Sequence, residues 1–132
     1  RQERALRAGS ARAADRFDVI VSAPGSQTDV LLAAVFLRPG ATKLLAPEIT
    51  ARLLNDRRAA FVAPIGFGDS YRGAPVIGTT SQLVTQLSDG LQEGRLFAHR
   101  EEAVAGAASP IRIGETFQPT HGMPHDGNPE EL

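Results

Sequence analysis

The sequence predicts a small α+β domain, in which two or three helices pack on a small mixed sheet. The chain has 132 residues, a common size for one domain, and it is 42% hydrophobic and 22% charged, as in ordinary soluble proteins. Short apolar runs rich in β-branched residues alternate with amphipathic segments. They do so without the regular strand–helix–strand repeat of a doubly wound sheet, so α+β is favoured over α/β.

Charge and cysteine content exclude several classes of function. The net charge at pH 7 is −1, from 14 basic and 15 acidic residues. No overall field therefore draws the chain towards nucleic acid, and we expect no nucleic-acid partner. The sequence contains no cysteine, which excludes disulfides, zinc–thiolate sites and thiol catalysis within it.

Residues 1–16 carry five arginines and two acids, and Leu6 is their one large apolar side chain. This pattern predicts a charged helix whose apolar stripe is too narrow to pack well. The segment contains no apolar core of a signal peptide, and the sequence does not begin with Met. We therefore expect a fragment of a longer protein that begins with a charged helix.

Residues 17–118 are expected to form the folded core. The β-branched run 17–23 predicts a first strand, and 29–37 is an apolar run that fits either a helix or a buried strand. Pro47 opens a predicted helix that ends at Leu54.

The second half of the core is predicted to contain a β-hairpin and one helix. Residues 60–68 and 75–79 predict the two strands of the hairpin, and Thr80 is placed to cap a helix over 81–88. Short strands are also predicted near 95–98, 103–105 and 116–118. Residues 119–132 hold three prolines and two glycines, which predict a flexible loop or tail.

The apolar pattern also predicts which side chains form the hydrophobic core. Those expected to be largely buried are Val19, Val21, Leu31, Leu32, Leu53, Phe61, Val62, Val76, Ile77, Leu83, Leu87, Phe97 and Val104.

Residues 66–70, Gly-Phe-Gly-Asp-Ser, resemble the Gly-Asp-Ser turn of GDSL hydrolases, in which the serine is the nucleophile. A serine hydroxyl needs a histidine base that is oriented by a carboxylate, and those enzymes supply both as Asp-x-x-His. Neither His121 nor His125 has an aspartate three residues before it. A glycine-rich hairpin turn is therefore the favoured interpretation, and an esterase that uses Ser70 is the remote alternative.

His121, His125 and Asp126 place two imidazoles and one carboxylate within six residues. Such groups bind zinc, nickel or copper, but three ligands are one fewer than a closed structural zinc site has. The surrounding glycines and prolines must also be ordered when a metal binds, which costs free energy. A solvated loop is the favoured interpretation, and a weak site for zinc or another transition metal is the alternative. No other cofactor and no catalytic residue are expected.

Several segments recur in an order that is typical of one family. They include Asp-Val-Ile-Val-Ser-Ala-Pro-Gly at 18–25, together with 47–56, 61–64 and 73–79. The most specific are Gly-Arg-Leu-Phe at 94–97, Glu-Ala-Val-Ala-Gly at 102–106 and Gly-Glu-Thr-Phe at 114–117. In this order and spacing the chain resembles the MacB-like periplasmic core domain of FtsX-type ABC transporter permeases.

The resemblance implies a non-enzymatic extracytoplasmic domain at the periplasmic face of the bacterial inner membrane. Such a domain couples ATP hydrolysis by a separate cytoplasmic ATPase to the movement or extrusion of cargo. The implied partners are a second permease protomer and that ATPase, with a periplasmic protein or a lipoprotein as a further candidate.

In this setting 1–16 is a stalk-like helix that follows a membrane helix, 17–118 is the first portion of the periplasmic core, and 119–132 is its flexible loop or tail. A metal-uptake permease that uses His121 and His125 is the alternative within the same family.

Overall fold

The computed structural model describes residues 16–40 and 42–122 of the chain. Within them lie three helices and three strands, so the predicted α+β class is confirmed. In chain order they are α1 (Gln27–Phe36), α2 (Pro47–Leu54), β1 (Gly66–Tyr71), β2 (Ala74–Gly78), α3 (Ser81–Leu87) and β3 (Thr120–His121). Residues 1–15 of the predicted stalk-like helix and 123–132 of the predicted tail lie outside the described residues.

The chain divides into two compact units, Arg1–Val62 and Ala63–Leu132, here called the first and the second unit. The helices α1 and α2 belong to the first unit, and α3 and the sheet belong to the second. Across residues 16–40 and 42–122, no helix has the length and apolar character needed to cross a membrane.

Helix α1 settles the ambiguity of the apolar run 29–37 in favour of a helix. The Ser26 side chain caps its first turn, and Asp29 complements the positive end of the helix dipole there. Leu37 ends the helix with a left-handed backbone, φ 51°, and Pro39 follows. Because a proline and a left-handed residue both interrupt helical hydrogen bonding, the helix cannot continue past this point.

Helix α2 confirms the prediction made from Pro47. The proline occupies the first turn, where its missing N–H is not needed, and Glu48 lies beside it at the positive end of the dipole. Asn55 closes the helix by donating its side-chain N–H to the Ala51 carbonyl at 2.8 Å. None of the residues of α2 is buried, and its apolar side chains Ile49 and Leu54 are exposed.

The strand predicted over 17–23 is not formed, and this prediction is wrong. Residues 19–23 run without helix, turn or bend, but no residue of the described chain pairs with them. The Phe17 ring lies 6.4 Å from the Phe61 ring, centroid to centroid, and holds the start of the segment. The segment does have the β-branched composition of a strand, but a strand also needs a partner, and composition does not supply one.

The predicted hairpin is confirmed, with different boundaries. Strand β1 begins at Gly66 and runs through the Gly-Asp-Ser sequence, and it pairs antiparallel with β2. The interpretation of 66–70 as the turn is therefore wrong. The turn consists of Arg72 and Gly73, which both have positive φ, as a two-residue type I′ hairpin requires.

Strand β3 pairs antiparallel with β1 and gives the sheet order β2-β1-β3. Thr120 lies opposite Ser70, and His121 lies opposite Asp69. The N–H of Gly122 extends the pairing by donating to the Gly68 carbonyl at 2.8 Å. The segment predicted to be a flexible tail thus begins inside the sheet.

The short strands predicted near 95–98, 103–105 and 116–118 are absent from the described part of the chain. Instead, residues 95–102 form a loop that is closed by its own side chains, here called the clasp loop. The Glu102 carboxylate accepts the backbone N–H groups of Ala98 and His99. Because these donors are already bonded, they are not available to a neighbouring strand.

The hydrophobic core within the described residues is small. The buried apolar side chains there are Ala33, Val35 and Leu83. Leu83, 1% exposed, confirms one member of the predicted core, whereas Val19, Val21 and Leu31 are exposed, so their predicted burial is wrong. The other predicted members are partly exposed: Leu32, Leu53, Phe61, Val62, Val76, Ile77, Leu87, Phe97 and Val104.

Candidate functional site

The middle strand of the sheet brings one predicted site residue into contact with a partner that the sequence did not indicate. Asp69 of β1 and His121 of β3 are directly opposite, so their side chains lie on the same face of the sheet. His121 Nδ1 lies 3.1 Å from Asp69 Oδ1. The two residues are 52 positions apart, so only the strand register brings them together. His125 and Asp126 lie outside the described residues.

The contact with Asp69 determines which ring nitrogen of His121 is available to a ligand. When a carboxylate engages one ring nitrogen of a histidine, it orients the ring and leaves the other nitrogen available to a metal or a proton. The His121 side chain is 91% exposed, so Nε2 faces solvent. Within residues 16–40 and 42–122, no group of three or more His, Asp or Glu side chains converges to hold a metal ion. The described residues therefore contribute one oriented imidazole nitrogen.

Ser70, the candidate nucleophile, lies on the other face of the sheet. It follows Asp69 in β1, and successive side chains of a strand point to opposite faces. Its cross-strand neighbour is Thr120, whereas the neighbour of Asp69 is His121. The register therefore does not bring the carboxylate–imidazole pair to the Ser70 hydroxyl, as a Ser-His-Asp arrangement would require.

The clasp loop joins two of the segments that define the sequence pattern. Arg95, from Gly-Arg-Leu-Phe, forms a two-pronged ion pair with Glu102, the acid that opens Glu-Ala-Val-Ala-Gly. The guanidinium, together with the N–H groups of Ala98 and His99, lowers the pKa of Glu102 from 4.5 to about 2. These side chains organise the backbone of the loop, and they explain why an arginine and a glutamate occur at this spacing.

Two further pattern residues, Gly94 and Phe117, also have structural roles in the second unit. Gly94 has φ 78°, which favours glycine, and a side chain there would meet Ile113 Cδ1 at 3.6 Å. The Phe117 ring packs on Tyr71 of β1 with the ring centroids 5.3 Å apart. The Arg72 guanidinium lies 5.1 Å from the same tyrosine ring. These four residues of the pattern therefore hold loops and strands in place.

Apolar exposure is concentrated in the first unit. Eight of the nine large apolar side chains that are exposed among the described residues belong to it: Val19, Ile20, Val21, Leu31, Phe36, Leu44, Ile49 and Leu54. A groove of about 380 Å³ lies between residues 20–25 and α1, and Ile20, Val30 and Leu31 contribute to its lining. A contiguous exposed apolar patch marks an interaction site in many proteins.

No family model matches the chain, and searches of curated proteins and of solved structures also gave no match.

Proposed function

We propose that the chain is a non-catalytic, extracytoplasmic domain of an ABC transporter permease subunit. It lies at the periplasmic face of the bacterial inner membrane and transmits the motion driven by a separate cytoplasmic ATPase to cargo. The observation that carries the proposal is the Arg95–Glu102 ion pair, which links two segments of the MacB-like pattern. A pattern whose members bond to one another is a better indication of a shared fold than the same residues scattered without contact.

The apolar exposure of the first unit supports a role in binding proteins. A domain that passes on motion must contact a second permease protomer and its cargo or carrier, and the buried centre of such a contact is more apolar than the rest of the surface. The register of the sheet keeps Ser70 apart from the Asp69–His121 pair, which is an argument against the esterase alternative. The partners that we propose are a second protomer, the ATPase, and a periplasmic protein or lipoprotein.

A metal-uptake permease is the second candidate, and one contact favours it. The Asp69 carboxylate holds His121 with Nε2 directed away from it, the arrangement in which protein imidazoles bind transition metals. In that case His125 and Asp126, which follow within five residues, would add ligands to the one that β3 provides.

Location can be tested by cysteine labelling, because this sequence has no cysteine of its own. We would place Ala108→Cys, an exposed position, in the full-length gene product after replacing any cysteines elsewhere in it. A membrane-impermeant maleimide should label this variant in intact spheroplasts as fully as in lysed cells, and the ATPase should co-purify with it.

Leu83→Cys is the matched control, since Leu83 is almost fully buried and should react only after denaturation. If Ala108→Cys reacted only after the membrane was permeabilised, the proposed location would be wrong.

A further inference from the structure

The Asp89–Gly90 pair follows α3 directly, where the fold leaves the backbone unbonded. The helix closes at Ser88, whose N–H and hydroxyl both donate to the Val84 carbonyl. Asp89 and Gly90 are exposed, and within the described residues neither the Asp89 carboxylate nor the Gly90 N–H makes a hydrogen bond. A carboxyl group and the amide that follows it in the chain are therefore both free to react with each other.

We propose that Asp89 is a site of spontaneous isoaspartate formation, a reaction of the chain with itself. In the first step the Gly90 nitrogen bonds to Cγ of Asp89. The amide hydrogen and the carboxyl OH leave together as water, and a five-membered succinimide ring closes. Both reacting groups are unbonded and belong to neighbouring residues, so no part of the fold has to open before they meet.

In the second step water opens the succinimide ring at one of its two carbonyls. Opening at Cγ restores aspartate. Opening at the former main-chain carbonyl frees an α-carboxylate and leaves the chain running through the Asp89 methylene group, which is isoaspartate. One water leaves and one enters, so the mass is unchanged and no oxidant, reductant or enzyme is needed. The product lengthens the connection between α3 and the clasp loop by one methylene group.

The glycine favours ring closure because it places no side chain beside the attacking nitrogen. Around the position of a Cβ on Gly90, no heavy atom beyond its chain neighbours lies within 4 Å, so the nitrogen is open to approach. Among the aspartates of the described residues, Asp89 is the one that glycine follows. Asp18, by contrast, precedes Val19, whose branched side chain crowds the nitrogen.

The fold restrains three other aspartates of the described chain. The amide that follows Asp29 donates to the Ser26 carbonyl at 3.1 Å within α1. The Asp56 carboxylate is held by the Arg58 guanidinium. Asp69 lies in β1, which pairs with a strand on each side, so ring closure there would require the strand to open. Asp89 combines the reactive sequence with backbone that nothing restrains.

Peptide mapping tests the site after the folded 132-residue chain has been incubated at neutral pH, with an unincubated sample as the background. Trypsin releases 73–95, in which Asp89 is the one aspartate and asparagine does not occur, and 59–72, which contains Asp69. Isoaspartate changes the retention time of a peptide without changing its mass, and it blocks cleavage by endoproteinase Asp-N. We expect the isomer in 73–95, and at least about tenfold less in 59–72, because opening a strand costs free energy.

A synthetic peptide of residues 73–95 gives the rate without any fold. The folded chain should form isoaspartate at residue 89 within about tenfold of that rate, because unbonded backbone needs no opening step. Asp89→Glu is the matched variant. It keeps the charge, but its ring would have six members and closes far more slowly, so the isomer of 73–95 should disappear.

Three results would overturn the inference. One is a synthetic peptide that isomerises while the folded chain does not, which would show that the fold protects Asp89. The second is equal isomerisation of 59–72 and 73–95, and the third is an isomer that persists in Asp89→Glu. The inference depends on the connection after α3 alone, so its failure would leave the labelling test of the proposed function unaffected.

Discussion

The residue that precedes α1 and the residue that precedes α3 both carry a hydroxyl group, but only the first hydroxyl caps its helix. The Ser26 oxygen accepts the N–H of Asp29 at 3.3 Å and satisfies one of the donors that a helix leaves unpaired. Thr80 occupies the same position before α3, but its Oγ1 is buried and has no hydrogen-bond partner within the described residues. A buried hydroxyl without a partner destabilises the fold.

We therefore expect opposite results from removing the two hydroxyls. Ser26→Ala should lower the free energy of unfolding by about 1 kcal/mol, the usual effect of losing a capping side chain. Thr80→Val keeps the shape of the side chain, and it should leave the free energy of unfolding unchanged or raise it. Urea denaturation of both variants measures the difference. A loss in Thr80→Val as large as that in Ser26→Ala would contradict this account.

The clasp loop is an element whose stability depends on one carboxylate. Glu102 bonds to the Arg95 guanidinium and to two backbone N–H groups, and these contacts lower its pKa from 4.5 to about 2. Because the pKa is lower in the folded state than in the unfolded state, the ionised carboxylate stabilises the fold above about pH 4.5. This contribution is lost as the pH falls from 4.5 towards 2.

We expect Glu102→Gln to reduce the dependence of unfolding free energy on pH between about 4.5 and 2. Asp56, whose pKa is lowered to about 2 by Arg58, will leave some dependence in the same window. Glu101→Gln is the matched control, because Glu101 is exposed and makes no hydrogen bond or ion pair within the described chain. Denaturant titrations at several pH values provide the measurement. Equal slopes for the two variants would show that the clasp loop is not a source of the dependence.

The elements that the sequence predicted well are those specified by nearby residues. Helix α2 is marked by Pro47, and the hairpin is built on Gly73, whose positive φ suits a tight turn. Segment 17–23 and the short strands after Gly94 were predicted wrongly, because strand formation depends on partners that are distant in sequence. The candidate site shows the same division: the sequence identified His121, but its contact with Asp69 spans 52 residues.

At the scale of the whole molecule, the two units differ in how many large apolar side chains they expose. Among the described residues, the first unit has eight exposed large apolar side chains. The second unit has one, Ile113. Hydrophobic periodicity identifies the face of an element that would gain from burial, but not whether another element covers it. This explains why Leu83 was predicted correctly while Val19 and Leu31 were not. The exposed surface is what the proposed contacts with other chains would use.

Zinc binding also depends on the whole molecule, since its candidate ligands come from different parts of the chain. Asp69 and His121 meet through the sheet, whereas His125 and Asp126 follow in the sequence, outside the described residues. If Asp69 is engaged with Nδ1, at most three groups remain to bind the ion, one fewer than in a closed structural site. Their glycines and prolines must also be ordered, which costs about 1–2 kcal/mol per residue.

We therefore expect isothermal titration to give a zinc dissociation constant weaker than about 1 µM for the 132-residue chain. Asp69→Asn should weaken the binding further, by about tenfold, because it removes the carboxylate that orients the imidazole. Asp89→Asn, an exposed change outside the sheet, should not affect it. Binding tighter than this that disappears in His121→Ala would instead show a well-formed metal site. That result would favour the metal-uptake permease over cargo extrusion.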